Sequence, residues 1–240
     1  MVWEFRGWDG PPGADRLGDM TSTSNQTLTD VHDMYVVHRA FRREFALVPR
    51  LVRAVAPGDT ARAAVVAKHA RLVLRGLHLH HTSEDLLLWP KLLDRCPPDA
   101  ALVQRMEAQH ERVEHHIDHL QAALGRWEAE ARPAVTEEVA STFDALHEAL
   151  AEHLGEEERE ILPLAARHVT QQEWNELGDH GLAEMRRSEL PIMFGMVLEE
   201  ATPEEAIEMT AKLPPPVRLL AKLVFLPRYR RYVRMIRAGA

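Results

Sequence analysis

Apolar positions recur at helical spacing from residue 29 onward. Val31, Tyr35, His38, Phe41, Phe45 and Val48 follow one another at three- to four-residue steps, the period that gathers side chains on one helix face. The spacing predicts a first helix starting after Thr29 or Asp30, either of which can cap it. Pro49 is expected to kink or end that segment, and Pro57-Gly58-Asp59 to turn the chain. A second helix is expected from about Thr60 to Arg95, bent near Pro90 and closed by Cys96-Pro97-Pro98-Asp99. A third occupies about 99–131 and stops before Pro133, and a fourth runs from about 134 to His168. No stretch alternates as a strand would. The predicted class is therefore all-α, with residues 29–168 forming an antiparallel up-down-up-down four-helix bundle.

The flanks read differently. Residues 1–28 are rich in Gly, Pro, Ser and Thr with little periodicity, the pattern of a mobile tail. Trp3, Phe5 and Trp8 leave open that this tail docks on the body, and Met20 is an alternative start. Residues 169–240 form a C-terminal helical extension. It comprises a short helix in TQQEWNELGDHGLAEMR, one or two more, a break at prolines 214–216, and the basic amphipathic end LVFLPRYRRYVRMIRAGA. Such an end suits membrane surfaces or acidic partners. The other reading is that it packs across its own acidic bundle, where Met193, Phe194 and Met196 would narrow the route to a buried site.

Composition limits the function classes. In 240 residues, 45% are hydrophobic, enough for a core, and 28% are charged, which speaks against wholesale disorder. The single Cys96 excludes an intrachain disulfide framework and fits a reducing compartment. No apolar run approaches membrane-spanning length and no signal-peptide pattern occurs, so a soluble, cytoplasmic protein is expected. The net charge of −8 conceals an asymmetry, because from Lys212 onward there are eight Lys/Arg and no Asp/Glu, leaving −16 on the remainder. That remainder is a poor nucleic-acid binder.

Candidate chemistry lies in a repeat. His80, Glu84 and Pro90 stand in HHTSEDLLLWPKL, and His153, Glu157 and Pro163 in HLGEEEREILPL, with the same spacings and acidic residues around each Glu. Residues four apart share a helix face, so each His and Glu can reach one point, a pairing that suits a borderline or hard transition metal. His38 precedes His80 by 42 residues and His110 precedes His153 by 43, so a helical hairpin bearing one His and then His-x3-Glu occurs twice. Counting along an up-down bundle places all six groups in one slab, roughly 14–22 Å from one end. One tetrahedral zinc would be saturated by fewer donors. Two iron-sized ions bridged by Glu84 and Glu157 would use all six and leave open positions for a small molecule. A ferritin-like site needs two Glu-x-x-His motifs, and only Glu107-x-x-His110 fits well.

The segments VVHRAFRREF, HLHHTSEDLLLWPKLL, QHERVEHH and HLGEEEREILPL resemble the hemerythrin-like (HHE cation-binding) family over about residues 29–168. The resemblance implies a non-haem di-iron centre in a four-helix bundle: two iron ions, with a bridging oxo or hydroxo group and other divalent metals as alternatives. It also implies a small oxidant (O2, H2O2 or NO) as ligand, and His38, His80, Glu84, His110, His153 and Glu157 as metal ligands. The chain departs from the family where a fifth histidine would follow His110 by one turn, because Glu114 stands there. Glu114 is either a further ligand, making the site harder and more anionic, or a group turned to water or to a base. Tyr35, one turn before His38, either packs in the core or serves the site. Arg42, one turn after it, can balance excess carboxylate charge. The repeat selects His80 over His81 as ligand, since Leu154 occupies the second copy's equivalent of His81, so His81 is read as a supporting residue. His115, His116 and His119 fall off the His110 stripe, and Trp89 is expected to pack the bundle end. Two further classes stay open: a metal-storage or metal-sensing module acting through the extension without turnover, and a helical interaction protein with structural histidines.

Overall fold

A computed structural model describes residues 28–238. The expectations for the tail therefore fall, except at Leu28, outside the described residues. In chain order the bundle region comprises α1 (His32–Arg53), α2 (Thr60–Leu87), α3 (Trp89–Arg95), α4 (Ala100–Glu130), α5 (Pro133–Glu156) and α6 (Leu162–His168). Each of α1 and α4 packs against both α2 and α5, which gives the square of a four-helix bundle. The α1–α2 and α4–α5 connections meet at one end, where the Gly58 N–H donates to the Ala131 carbonyl at 3.1 Å. Gly58 turns there at φ 81°, a conformation glycine adopts without steric cost.

Local sequence sets the helix ends. The Asp30 carboxylate accepts from the His32 N–H at 3.0 Å, and Asp59 accepts from the Arg62 N–H at 2.9 Å. Pro49 does not end α1. The helix runs one further turn to Arg53 with the proline ring buried. Pro90 and Pro163 do disturb their helices, because neither has an N–H to give the carbonyl four residues back. The chain breaks at Leu88 in the first copy. In the second it forms a π turn over Glu157–Ile161, a local widening not read from the sequence.

Two apolar cores result. One, nearer the Gly58 end, holds Phe45, Leu51, Leu74, Leu124, Trp127 and Phe143. The other holds Met34, Trp89, Leu92, Met106, Leu162 and Trp174. The histidines and glutamates of the repeat lie between these cores at the middle of the bundle.

The extension adds α7 (Gln171–Glu184), α8 (Leu190–Glu200), α9 (Pro203–Ala211), α10 (Pro215–Leu220) and α11 (Leu226–Arg237), with a π turn over Ala221–Phe225 before α11. Thr170 and Thr202 begin α7 and α9 with reciprocal capping boxes to Glu173 and Glu205. Helix α7 lies on α2, α8 on α1, and α11 on α8 and α2. Tyr229 sits so close to Gly195 that any Cβ there would meet its ring at 2.1 Å. Below α11, buried Glu44 lies 3.1 Å from His69 Nε2 and accepts from Arg43 at 2.7 Å, while Tyr232 pairs with His69 Nδ1 at 3.0 Å. Arg237 closes the arm with two 2.8 Å bonds to Glu199. One face of the basic end is thus packed on its own protein.

Candidate metal centre

The repeat brings its donors to one level. His38 Nε2 lies 3.4 Å from Glu157, His80 Nε2 3.4 Å from Glu84, His110 Nε2 3.5 Å from Glu84 and His153 Nε2 3.7 Å from Glu157. Two groups emerge, each with donor atoms within 4.8 Å of one another. The first is His38, His80, Glu84 and Glu157, and the second is His81, Glu84, His110 and His153. Glu84 belongs to both.

His81 therefore stands in a different place from the supporting role expected. Its ring is buried, stacks on His110 at 4.0 Å and 12°, and meets His153 edge-on at 4.9 Å. Residues 80 and 81 are 100° apart on a helix. One side of α2 thus addresses His38 on α1 and the next addresses His110 and His153 on α4 and α5. The comparison with Leu154 missed this because the two copies are not equivalent here. Glu114, open in the sequence between a further ligand and a partner of water or a base, is turned to the bundle exterior, where it pairs with His78 at 3.0 Å, and it joins neither group. The residue one turn after His110 points between α4 and α2, toward solvent.

A set of hydrogen bonds fixes the imidazoles. His38 Nδ1–H donates to Glu158 at 3.0 Å, His110 Nδ1–H to Asp85 at 2.7 Å, and His153 Nδ1–H to the Gln109 side-chain oxygen at 3.0 Å. Carboxylates only accept, so in the first two rings the proton sits on Nδ1 and Nε2 presents a lone pair. Gln109 is oriented in turn, its amide N–H donating to Glu156 at 2.7 Å and leaving its oxygen to accept. Arg42 donates to Glu158 at 2.7 Å, and so acts on His38 through that carboxylate. Burial works against the Glu158 charge, yet the bonds from His38 and Arg42 hold its carboxyl down to about 2. Asp85 and Glu158 each directly follow the Glu of a repeat copy, and each orients the histidine borne by the other hairpin's first helix. Acidic residues around the Glu were visible in sequence, but this exchange between hairpins was not.

Tyr35 donates to the Glu158 carbonyl at 3.3 Å, which ties its hydroxyl to the π turn rather than to the donors. Trp89 packs the end of the bundle and also donates to Asp85 at 2.8 Å. His115 and His119 are exposed on α4. Of the methionines and phenylalanine expected to narrow the approach, Met193 fills the hollow at Gly76, Phe194 packs on Phe225, and Met196 lines one small cavity with Glu44 and His69. Helix α7 covers α2 beside Glu84, its His180 meeting Ser83 at 3.0 Å.

The electrostatics fit a cation. Burial, reinforced by the neighbouring imidazoles, pushes His80, His81 and His153 well below the usual histidine range, so they are neutral and able to ligate. Burial and the Glu157 carboxylate push Glu84 well above its usual range. His38 Nε2, His80 Nε2, His81 Nε2 and both carboxylate oxygens of Glu84 and Glu157 are buried without a hydrogen-bond partner among the described residues. Each such atom costs about 1–3 kcal/mol. His110 and His153 turn their Nε2 atoms on one another at 3.2 Å. With both protons held on the Nδ1 side, two lone pairs face each other, an arrangement a positive ion relieves.

No curated protein and no solved structure matches the chain. The family described as "Hemerythrin HHE cation binding domain" matches residues 29–165, more than half of the sequence. That span holds both hairpins, both donor groups and the carboxylates that orient them, and the chain belongs to the hemerythrin HHE cation-binding family.

Proposed function

We propose that the chain holds two iron ions, one by His38 and His80 and the other by His81, His110 and His153, with Glu84 and Glu157 between them. On this reading it binds or reduces a small oxidant, O2, H2O2 or NO. The observation that carries the proposal is the pair of donor groups sharing Glu84, with seven buried donor atoms that lack a hydrogen-bond partner among the described residues. When bound, the ions supply electrons and an electrophilic point of attachment for the oxidant. The residues supply the rest. Glu158, Asp85 and Gln109 accept from Nδ1 of His38, His110 and His153 and so aim each Nε2 inward. The flanking cores exclude water and strengthen each electrostatic contact within.

A second reading, metal or redox sensing through the extension, has one contact in its favour. Arg39, next to His38, donates to the Glu200 carbonyl at 3.3 Å and pairs with Glu205 of α9. A change at α1 thus reaches the extension directly.

Protein from iron-supplied cells is expected to carry iron and to show ferric charge-transfer absorption in the near ultraviolet. That absorption should change on addition of O2 to the reduced protein, of H2O2, or of NO. A metal ratio near zero would dismiss both readings. Bound iron with a spectrum indifferent to all three reagents would leave only the sensing one.

A further inference from the structure

We propose that the outer face of α10, the π turn after it and α11 docks on an anionic lipid bilayer as a peripheral contact. Leu219, Leu220, Leu223 and Val224 stand 58%, 43%, 63% and 45% exposed on consecutive turns of one helical rod. Along the same rod Lys222, Arg230, Arg231 and Arg234 are exposed, and none makes an ion pair among the described residues. The rod's aromatic side chains turn the other way. Tyr229 packs on Gly195, Tyr232 bonds His69, and Phe225 packs on Phe194. The inner face is thus spent on the protein, while aliphatic and cationic groups remain outside.

This division selects the occupant. Exposed leucines and valine match the boundary of the acyl chains, and neighbouring Arg and Lys stems lie along apolar surface while their charges reach lipid phosphates. The core of a protein–protein contact favours aromatic side chains over plain aliphatics, and the rod's tyrosines are already committed inward. Charge orients the molecule as well. The chain before Lys212 carries −16 and the end carries eight cations, so an anionic surface repels the body and attracts the rod. No described helix is long and apolar enough to cross a membrane, so the contact is superficial.

The test uses the full chain, as isolated, sedimented with vesicles of phosphatidylcholine alone or mixed with phosphatidylserine. Retention is expected on the mixed vesicles only, and is expected to fall as salt is added. The double variant Leu219→Glu/Leu223→Glu should weaken retention at least about tenfold, and Arg230→Gln/Arg231→Gln roughly tenfold or more. Both alter exposed positions, so circular dichroism and metal content should stay as in the parent. That keeps this test separate from the iron proposal. Absence of retention on phosphatidylserine vesicles, or equal retention by parent and both variants, overturns the proposal. So does a concentration-dependent dimer abolished by Leu219→Glu/Leu223→Glu, which would assign the face to a second copy of the chain.

Discussion

Replacing His81 by alanine tests the two-group reading most directly. The ring is 4% exposed, stacks on His110 at 4.0 Å, and leaves its Nε2 without a partner among the described residues. In the metal-free protein two effects oppose each other. Loss of a buried ring of this size costs about 2–5 kcal/mol through lost packing, and removal of an unpartnered buried nitrogen returns about 1–3 kcal/mol. The expected net change runs from a gain of about 1 kcal/mol to a loss of about 4 kcal/mol, a fall in Tm of at most roughly 16 °C at ~2–4 °C per kcal/mol. The metal-bound protein loses more. Removal of a residue that merely orients a ligand costs about 10–100-fold in affinity. Removal of one of four donors should cost more than about 100-fold, or roughly 2.8 kcal/mol and upward. The stabilisation that metal confers shrinks by a corresponding amount. Metal content by mass spectrometry is therefore expected to fall to about half that of the parent, with the His38/His80 ion retained. The gap in Tm between metal-loaded and chelator-treated protein should narrow in parallel. His81→Phe keeps a stacked ring but no donor, and should lose metal as His81→Ala does while unfolding nearer to the parent. Full metal content at parental affinity in both variants would refute the assignment of His81 to the second group.

Asp85→Asn and Glu158→Gln should each weaken metal retention about 10–100-fold in a chelator competition without unfolding the bundle, whereas Glu114→Ala, which removes only an exterior pair with His78, should leave it unchanged. Gly195→Ala would drive a Cβ to 2.1 Å from the Tyr229 ring, and should destabilise the docked arm by about 1–3 kcal/mol in thermal unfolding with metal content intact. Glu44 supplies a pH dependence. Burial raises its carboxyl, but the hydrogen bond and charge of His69 and the Arg43 guanidinium outweigh that and hold it below 4.5. A depressed carboxyl contributes stability that is present above the unfolded value and lost as pH falls through the folded one. The Tm of chelator-treated protein should accordingly drop as pH is lowered below about 4.5, and should drop less in Glu44→Gln. An equal drop in both proteins would show that the Glu44 pair contributes nothing there.

The chain itself carried the all-α class, the bundle order and the level of the site. Helical period is written in which residues are apolar, and His38, Glu84, His110 and Glu157 sit on those apolar stripes. A doubled spacing then brings them to one depth by simple counting. Three features needed the fold. The roles of His81 and Glu114 depend on which neighbouring helix each side of α2 and α4 faces, and neighbours one residue apart differ by a wide angle that the linear pattern cannot orient. Asp85 and Glu158 act on histidines of the opposite hairpin, so their partners lie 25 and 120 residues away in the chain. The π turn at Glu157–Ile161 arises where Pro163 removes a donor beside buried Glu157 and Ile161, and packing decides whether the helix there breaks, as at Leu88, or widens. Local sequence determines what a segment can become, and contact between distant segments decides which of its faces meets the others, because burial and hydrogen bonding are settled only when those faces close on each other.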